Sequence, residues 1–259
     1  MRGYLKTAMM TATAEMGDNP LFVVSYVMRL LRVMLLFQVW RMIMQGRGEV
    51  SGFSLPNLLT YTLLAEACHD LLLCRTWVES RFWDGTIATR FLRPMGIFGQ
   101  FAVEWLGGIG FHLVFFSVPL VMLASLFGVN VLPASFWAGL LGLLSLILAV
   151  LVGLGVEYVF IGFAVAAEIH PYILNGLRAA LGGLFSGAFI PLVLLPFGLG
   201  KVFEVLPFAS QASAPLSLYL GKGEVWLLLS RQVIWIVLLW TFAGWLWRRN
   251  RERMVAYGG

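Results

Sequence analysis

Residues 75–96 read RTWVESRFWDGTIATRFLRPMG. This is the one long, charged, amphipathic segment of the chain, and long apolar runs flank it. In helical spacing, Trp77, Phe82, Trp83, Ile87 and Phe91 make much of one side apolar. Arg75, Glu79, Arg81, Asp84 and Arg90 fill much of the rest. The pattern predicts a helix lying on a membrane surface, with rings at headgroup depth and charges toward water. Gly85 weakens the middle, so two short helices are an open alternative. Pro94 marks the stop, because the residue before a proline is pushed out of helical geometry. A surface helix with no partner is the plainer reading. A helix on which a partner pushes is the sharper one.

The flanking runs set the class. Of 259 residues, 60% are hydrophobic and 12% charged, against about 25% charged in soluble domains. Several runs reach the roughly 20 residues that cross a bilayer core. The expected fold is all-α: a polytopic membrane protein in the lipid bilayer. The alternating strands of a membrane barrel are absent. The net charge of +5 does not imply nucleic acid, because most arginines sit at span ends. Cys68 and Cys74 would project from different sides of one helix, which argues against a disulfide. The first residues carry Arg2, Lys6, Glu15 and Asp18 and lack the apolar core of a cleavable signal.

In order, the expected elements are an amphipathic interfacial helix over 1–18 and spans over 21–44 and 53–74. The 75–95 segment follows, then spans over 97–126, 134–167 and 172–195. An outer hairpin and loop over 196–224, a span over 225–247 and a basic tail over 248–259 complete the chain. The hairpin expectation rests on Gly182, Gly183, Gly187, Pro191, Pro196, Pro207 and Pro215, too much glycine and proline for one straight helix. Non-helical backbone at membrane depth must be covered by protein or line a wet cavity, so the segment is expected to dip partly back into the membrane.

Basic residues set the orientation. One side receives Arg2, Lys6, Arg75, Arg81, Arg90, Arg93, Arg178 and the tail arginines. The other receives Arg47, Lys201 and Lys222. Eleven against three places both termini and the 75–95 segment in the cytoplasm, with six spans.

No nucleotide-binding loop is present. Gly198-Leu199-Gly200-Lys201 lacks the leading glycine spacing and the following Ser or Thr. Neither a catalytic residue nor a metal site is expected in this chain. One alternative is an intramembrane enzyme using Glu66, His69 and Asp70, which share a helical face. Another is a proton-coupled secondary transporter with Glu157 as carrier.

Depth offers a fuller account of the buried charges. Arg29 and Arg32 stand about 12 and 16 Å above the inner end of the first span, and Asp70 and Glu66 about 7 and 13 Å above that of the second. Antiparallel neighbours bring them to matching levels, and an unpaired charge there costs several kcal/mol. Arg29 or Arg32 is therefore expected to bond Glu66, with Asp70 nearer the surface. Glu157, at comparable depth, completes this network or faces a transport path.

This order of features resembles the membrane subunits of ABC exporters of the type-2 export class. In that six-span family the permease is usually paired with a separate ATPase. The resemblance rests on the amphipathic N-terminal helix, FQVWRMI at the end of span one and DGTIATRFLRPMG in the cytoplasmic segment. The SGAFIPLVLLPFGLGKVFEVLPF hairpin and the basic tail ending in Gly258-Gly259 add to it. It implies a bacterial cytoplasmic (inner) membrane permease exporting an amphipathic substrate, without an ATPase site of its own. Its partners would be two copies of an ABC ATPase, which carry the ATP and Mg, and a second permease, identical or related. Coupling to the ATPase would fall to Trp77, Arg81, Trp83, Asp84, Gly85, Arg90, Arg93 and Pro94. The hairpin with Pro191, Pro196 and Pro207 would form an outer gate.

Overall fold

A computed structural model describes residues 22–83 and 85–256. The expected 1–18 helix and Asp84 lie outside the described residues, as does the side chain of Trp83.

Helix α1 (Phe22–Ile43) leads into a minute antiparallel hairpin, β1 (Glu49–Val50) and β2 (Phe53–Ser54). This is a small departure from an all-α chain. Gly46 and Gly52, at φ 74° and 77°, supply the left-handed backbone that the reversal needs. Helix α2 (Leu55–Ala67) ends at Cys68, and α3 (His69–Leu73) continues after the break. Ser117 Oγ donates to the Ala67 carbonyl at 2.6 Å, satisfying an acceptor beside the break. The amphipathic segment follows as α4 (Val78–Trp83) and α5 (Ile87–Phe91).

Helix α6 (Ile97–His112) passes through a π-helical turn (Leu113–Ser117) into α7 (Val118–Leu123) and a 3₁₀ turn (Ala124–Phe127). Pro119 has no N–H and its ring would strike the carbonyl four residues back. The ladder accordingly shifts, and the Val118 N–H bonds the Leu113 carbonyl. Helix α8 (Phe136–Ala166) is the central column. Ser135 caps it by accepting from the Ala138 N–H at 3.1 Å. Helix α9 (Pro171–Phe185) precedes two 3₁₀ turns, then α10 (Leu199–Phe203), α11 (Pro207–Gln211) and α12 (Ser213–Tyr219). Helix α13 (Val225–Arg249) and α14 (Arg251–Ala256) close the chain.

Among the described residues, three segments are long and apolar enough to cross a membrane: Ile97–Phe127, Phe136–Ala166 and Val225–Arg249. The other expected spans take different forms. Helix α1 has the length but contains Arg29, Arg32 and Arg41. The second is split at Cys68. The fifth ends at Phe185 and not near residue 195. Its 15 residues rise about 22 Å, short of a bilayer core of about 30 Å. Gly187, at φ 78°, turns the chain away, and Pro191 prevents the helix from resuming.

Helix α13 lies along α8 because small residues let the two backbones approach. A Cβ on Gly155 or Gly162 would stand 2.9 Å from Leu239 or Leu246. Hydrogen bonds stitch the same seam. Trp240 Nε1 donates to Leu151 O at 2.9 Å, and Trp247 Nε1 to Tyr158 O at 2.7 Å. Gln232 Nε2 donates to the carbonyls of Ser145 and Ser210 at 2.9 and 2.8 Å. The last of these ties α11 to α13.

The hairpin after α9 has a descending limb, α10, and an ascending limb, α11–α12. At its base Phe208 packs with Val152 and Val156, midway along α8. At its top Tyr219 lies against Gly142, and its carbonyl accepts from the Ala134 N–H at 3.1 Å.

Two ends of the bundle follow from these contacts. Tyr219 OH donates to Val131 O, and Thr60 Oγ1 to Asn130 O, both at 2.7 Å. Lys222 Nζ stands 5.9 Å from the Phe53 ring. The 46–54 hairpin, the 128–135 turn and the 219–224 turn thus share one end. At the other, Arg253 meets Ala166 O at 3.1 Å and Glu168 at 3.5 Å, and Arg251 lies over Phe91.

Candidate functional site

The 75–96 segment packs against the bundle through part of its apolar face. Gly85, at φ 72°, turns the chain between α4 and α5. Val78, Phe82 and Ile87 are buried in a core shared with Trp105, Tyr158 and Trp247. Trp77 is instead 53% exposed, with the Arg75 guanidinium 3.8 Å over its ring. The apolar face read from the sequence therefore divides between protein and surroundings.

Arg90 needs a larger correction. Expected on the water-facing side, it is 6% exposed and paired with Glu104 of α6. It also lies 5.6 Å from the Phe101 ring, and its carbonyl accepts from Gln100 Nε2 at 3.0 Å. A carboxylate two turns into an apolar helix draws the guanidinium inward, because neither charge is tolerable there alone. Arg90 is thus an anchor. Leu92, Arg93 and Pro94 form the exposed tip of the segment, and Arg81 is half-buried.

Arg29, Arg32, Glu66 and Asp70 come together. Arg29 donates to both oxygens of Asp70 at 2.8 and 2.7 Å, a bidentate pair, and lies 4.2 Å over the Phe116 ring. Its Nε is 3.9 Å from Glu66. Arg32 Nη1 reaches the Glu66 oxygens at 3.3 and 3.5 Å. His112 of α6 stands 3.8 Å from Asp70. The acids of the Glu66–His69–Asp70 trio thus belong to arginines from another helix. Among the described residues no three His, Cys, Asp or Glu side chains converge as metal ligands.

Glu157 does not join this group. It is 1% exposed and pairs with Arg178 of α9, Nε to Oε2 at 2.9 Å. Its other oxygen accepts from the Thr76 N–H and hydroxyl at 2.9 and 3.0 Å. Arg178 Nη1 also donates to Leu73 O at 2.7 Å. One ion pair thereby joins α8, α9 and the start of the amphipathic segment.

The three hairpin prolines sit in different settings. Pro191 is buried before the first 3₁₀ turn, Pro196 is exposed, and Pro207 opens α11 at the base of the hairpin.

The profile of the ABC-2 family transporter protein matches residues 30–258. The chain belongs to the ABC-2 transporter family. No curated protein and no solved structure matches it. Membership makes it a multi-pass membrane protein and the transport subunit of an ABC transporter, a class that works with an ATPase subunit.

Several residues of this ABC-2 permease escape a reading by sequence. Arg178 counted as an inner-side orienting charge, yet it is 3% exposed within the bundle. Without it the basic count is ten against three. The signal was present: it lies seven residues into α9, about 10 Å above the helix start. Glu104 faces Arg90 across the turn at Gly96, and both are near enough in sequence to have been paired. Gln211 gave no such signal, because a glutamine beside a hairpin reads as solvated.

Proposed function

We propose that this chain is the membrane-spanning permease of an ATP-driven exporter. It crosses the bacterial cytoplasmic membrane six times with both termini inside, and moves an amphipathic substrate outward. A second permease, identical or related, packs against it. Two ATPase subunits, which hold the ATP and Mg, press on the 75–95 segment from the cytoplasm.

The amphipathic segment carries this reading. It sits at the bundle end that also holds the arginine-rich tail, as expected of a cytoplasmic face. Its inner face is locked to α6, α8 and α13 through Val78, Phe82, Ile87 and the Arg90–Glu104 pair. Its tip, Leu92 to Pro94, is exposed. A push on the tip therefore reaches three long helices through packed side chains. Gly85 supplies the only left-handed glycine within the segment, and so the bend between lever and anchor. The Arg178–Glu157–Thr76 contacts carry the same movement to α9 and the hairpin behind it.

The test is recovery and coupling. A tag on the full-length chain should bring down an ATPase subunit, and the complex should hydrolyse ATP. Arg93→Glu at the tip should lower ATP-driven export of a fluorescent amphiphile from liposomes by about tenfold, with the bundle still folded. Recovery of no ATPase, or export driven by a pH gradient without ATP, would sink the proposal.

A further inference from the structure

A cavity of about 290 Å³ lies between α3, α9, the chain after Ser186, and α11, with Arg32 of α1 on its wall. Phe189 and Phe208 give it an apolar side. The charged groups on its lining are Arg32 and Arg178, and no carboxylate is among them. Glu66 and Glu157 stand behind these arginines, at 3.3 and 2.9 Å. Both arginines border the cavity, and the acids that pair with them are not on its lining.

Gln211 lines the same space. It is 4% exposed, and its Nε2 has no hydrogen-bond partner among the described residues. A buried donor left unpaired costs about 1–3 kcal/mol, so its retention points to an acceptor that arrives from elsewhere. Arg32 has donors to spare as well. Its bonds to Glu66 use Nη1 alone and are long, and its side chain is 40% exposed. Arg32 and Gln211 thus bring incompletely paired N–H donors to the border of one space that Phe189 and Phe208 also line; Gln211 Nε2 itself is covered and would reach a ligand by turning its amide.

We propose that this cavity holds the head of an anionic amphiphile. A carboxylate or phosphate oxygen accepts from Gln211 Nε2 and from Arg32, and the tail lies along Phe189 and Phe208. The volume suits a head and its first methylenes, being at the small end for ligand sites. A cationic head would meet Arg32 and Arg178 and find no acid on the lining. This names the substrate class of the exporter and rests on that reading.

The experiment uses the purified full-length chain in phosphatidylcholine nanodiscs, without ATP or ATPase. The probe is dansyl-labelled undecanoic acid, competed by dodecanoate, by dodecyl phosphate and by dodecyltrimethylammonium. The expected result is saturable binding displaced by one or both anionic competitors and not by the ammonium. Which anion displaces it identifies the head. Gln211→Met and Arg32→Gln should each weaken binding about tenfold, and Gln211→Glu should abolish it. Arg32 is partly exposed and Arg29 remains beside Glu66, so its variant stays informative if changes at Gln211 prevent folding. Equal displacement by the ammonium, or unchanged affinity in Arg32→Gln, would overturn the assignment, with water or bilayer partitioning as the explanation. Binding is read without nucleotide, so it fails or succeeds independently of ATPase recovery.

Discussion

Arg178 and Arg32 reach the same cavity but are held differently, and the difference is testable. Arg178 is engaged on every side: Glu157, the Leu73 carbonyl, and Asn175 Oδ1, which lies 3.1 Å from Nη2. Arg178→Met would take the guanidinium away from Glu157 and leave a carboxylate at 1% exposure. Breaking a buried pair from one side costs about 3–5 kcal/mol. Arg178→Met combined with Glu157→Gln removes the stranded charge, so it should recover much of that loss. The measurement is the temperature at which the detergent-solubilised protein loses its monodisperse elution peak. Equal losses in the single and double variants would mean that the pair is not what holds α9 to α8. Helical rise brings Arg29 and Arg32 near the level of Glu66, but it does not single out Asp70, expected nearer the surface, as the bidentate partner of Arg29. Glu157 was a harder case. The charge count puts its partner Arg178 on the cytoplasmic side, and a charge cannot be matched until both partners have a depth.

At the scale of elements, the hairpin behind α9 is the least regular part of the fold and the most sharply constrained. A Cβ on Gly200 would stand 2.0 Å from the Leu192 carbonyl oxygen. That atom is backbone, so nothing yields unless the turn opens. Gly200→Ala should destabilise the protein by about 1–3 kcal/mol. Gly176, on α9, has nothing within 4 Å of the corresponding position. Gly176→Ala should be neutral or stabilising by up to about 1 kcal/mol, since alanine is the better helix former. Thermal unfolding of the two variants side by side separates close packing from a general intolerance of change. Glycine and proline in the sequence announced an irregular segment here. They did not announce that α9 would stop at Phe185, because a helix end set by Gly187 is indistinguishable in sequence from a kink in a longer helix. The amphipathic segment shows the same limit. Its apolar positions were legible, but periodicity does not say which of them meets protein. Val78 is buried beside an exposed Trp77 because the left-handed backbone at Trp77, φ 55°, turns that side chain out of the helical face.

For the whole molecule, the decisive quantity is which end faces the cell interior. The contacts define two ends without a membrane. One gathers Arg47, Asn130 and Lys222, and the other gathers Arg93, Glu168 and the tail arginines. The charge asymmetry between them survives the removal of Arg178 from the count, so the orientation does not hinge on a misplaced residue. Single cysteines can read it. Cys74 is fully buried, and Cys68→Ala removes the other native thiol without adding volume. On that background, Arg47→Cys and Lys222→Cys should react with a membrane-impermeant maleimide applied to intact spheroplasts. Arg93→Cys and Arg249→Cys should react only after the membrane is opened. The pairing matters more than any single site. Residues 47 and 222 are far apart in sequence but share an end through Phe53 and Tyr219, so their accessibilities must agree whichever way the protein is inserted. Labelling of residue 93 from outside would invert the bundle and place the exposed Leu92–Pro94 tip beyond the reach of any cytoplasmic ATPase. Disagreement between 47 and 222 would instead refute the packing of the hairpin against the start of α8.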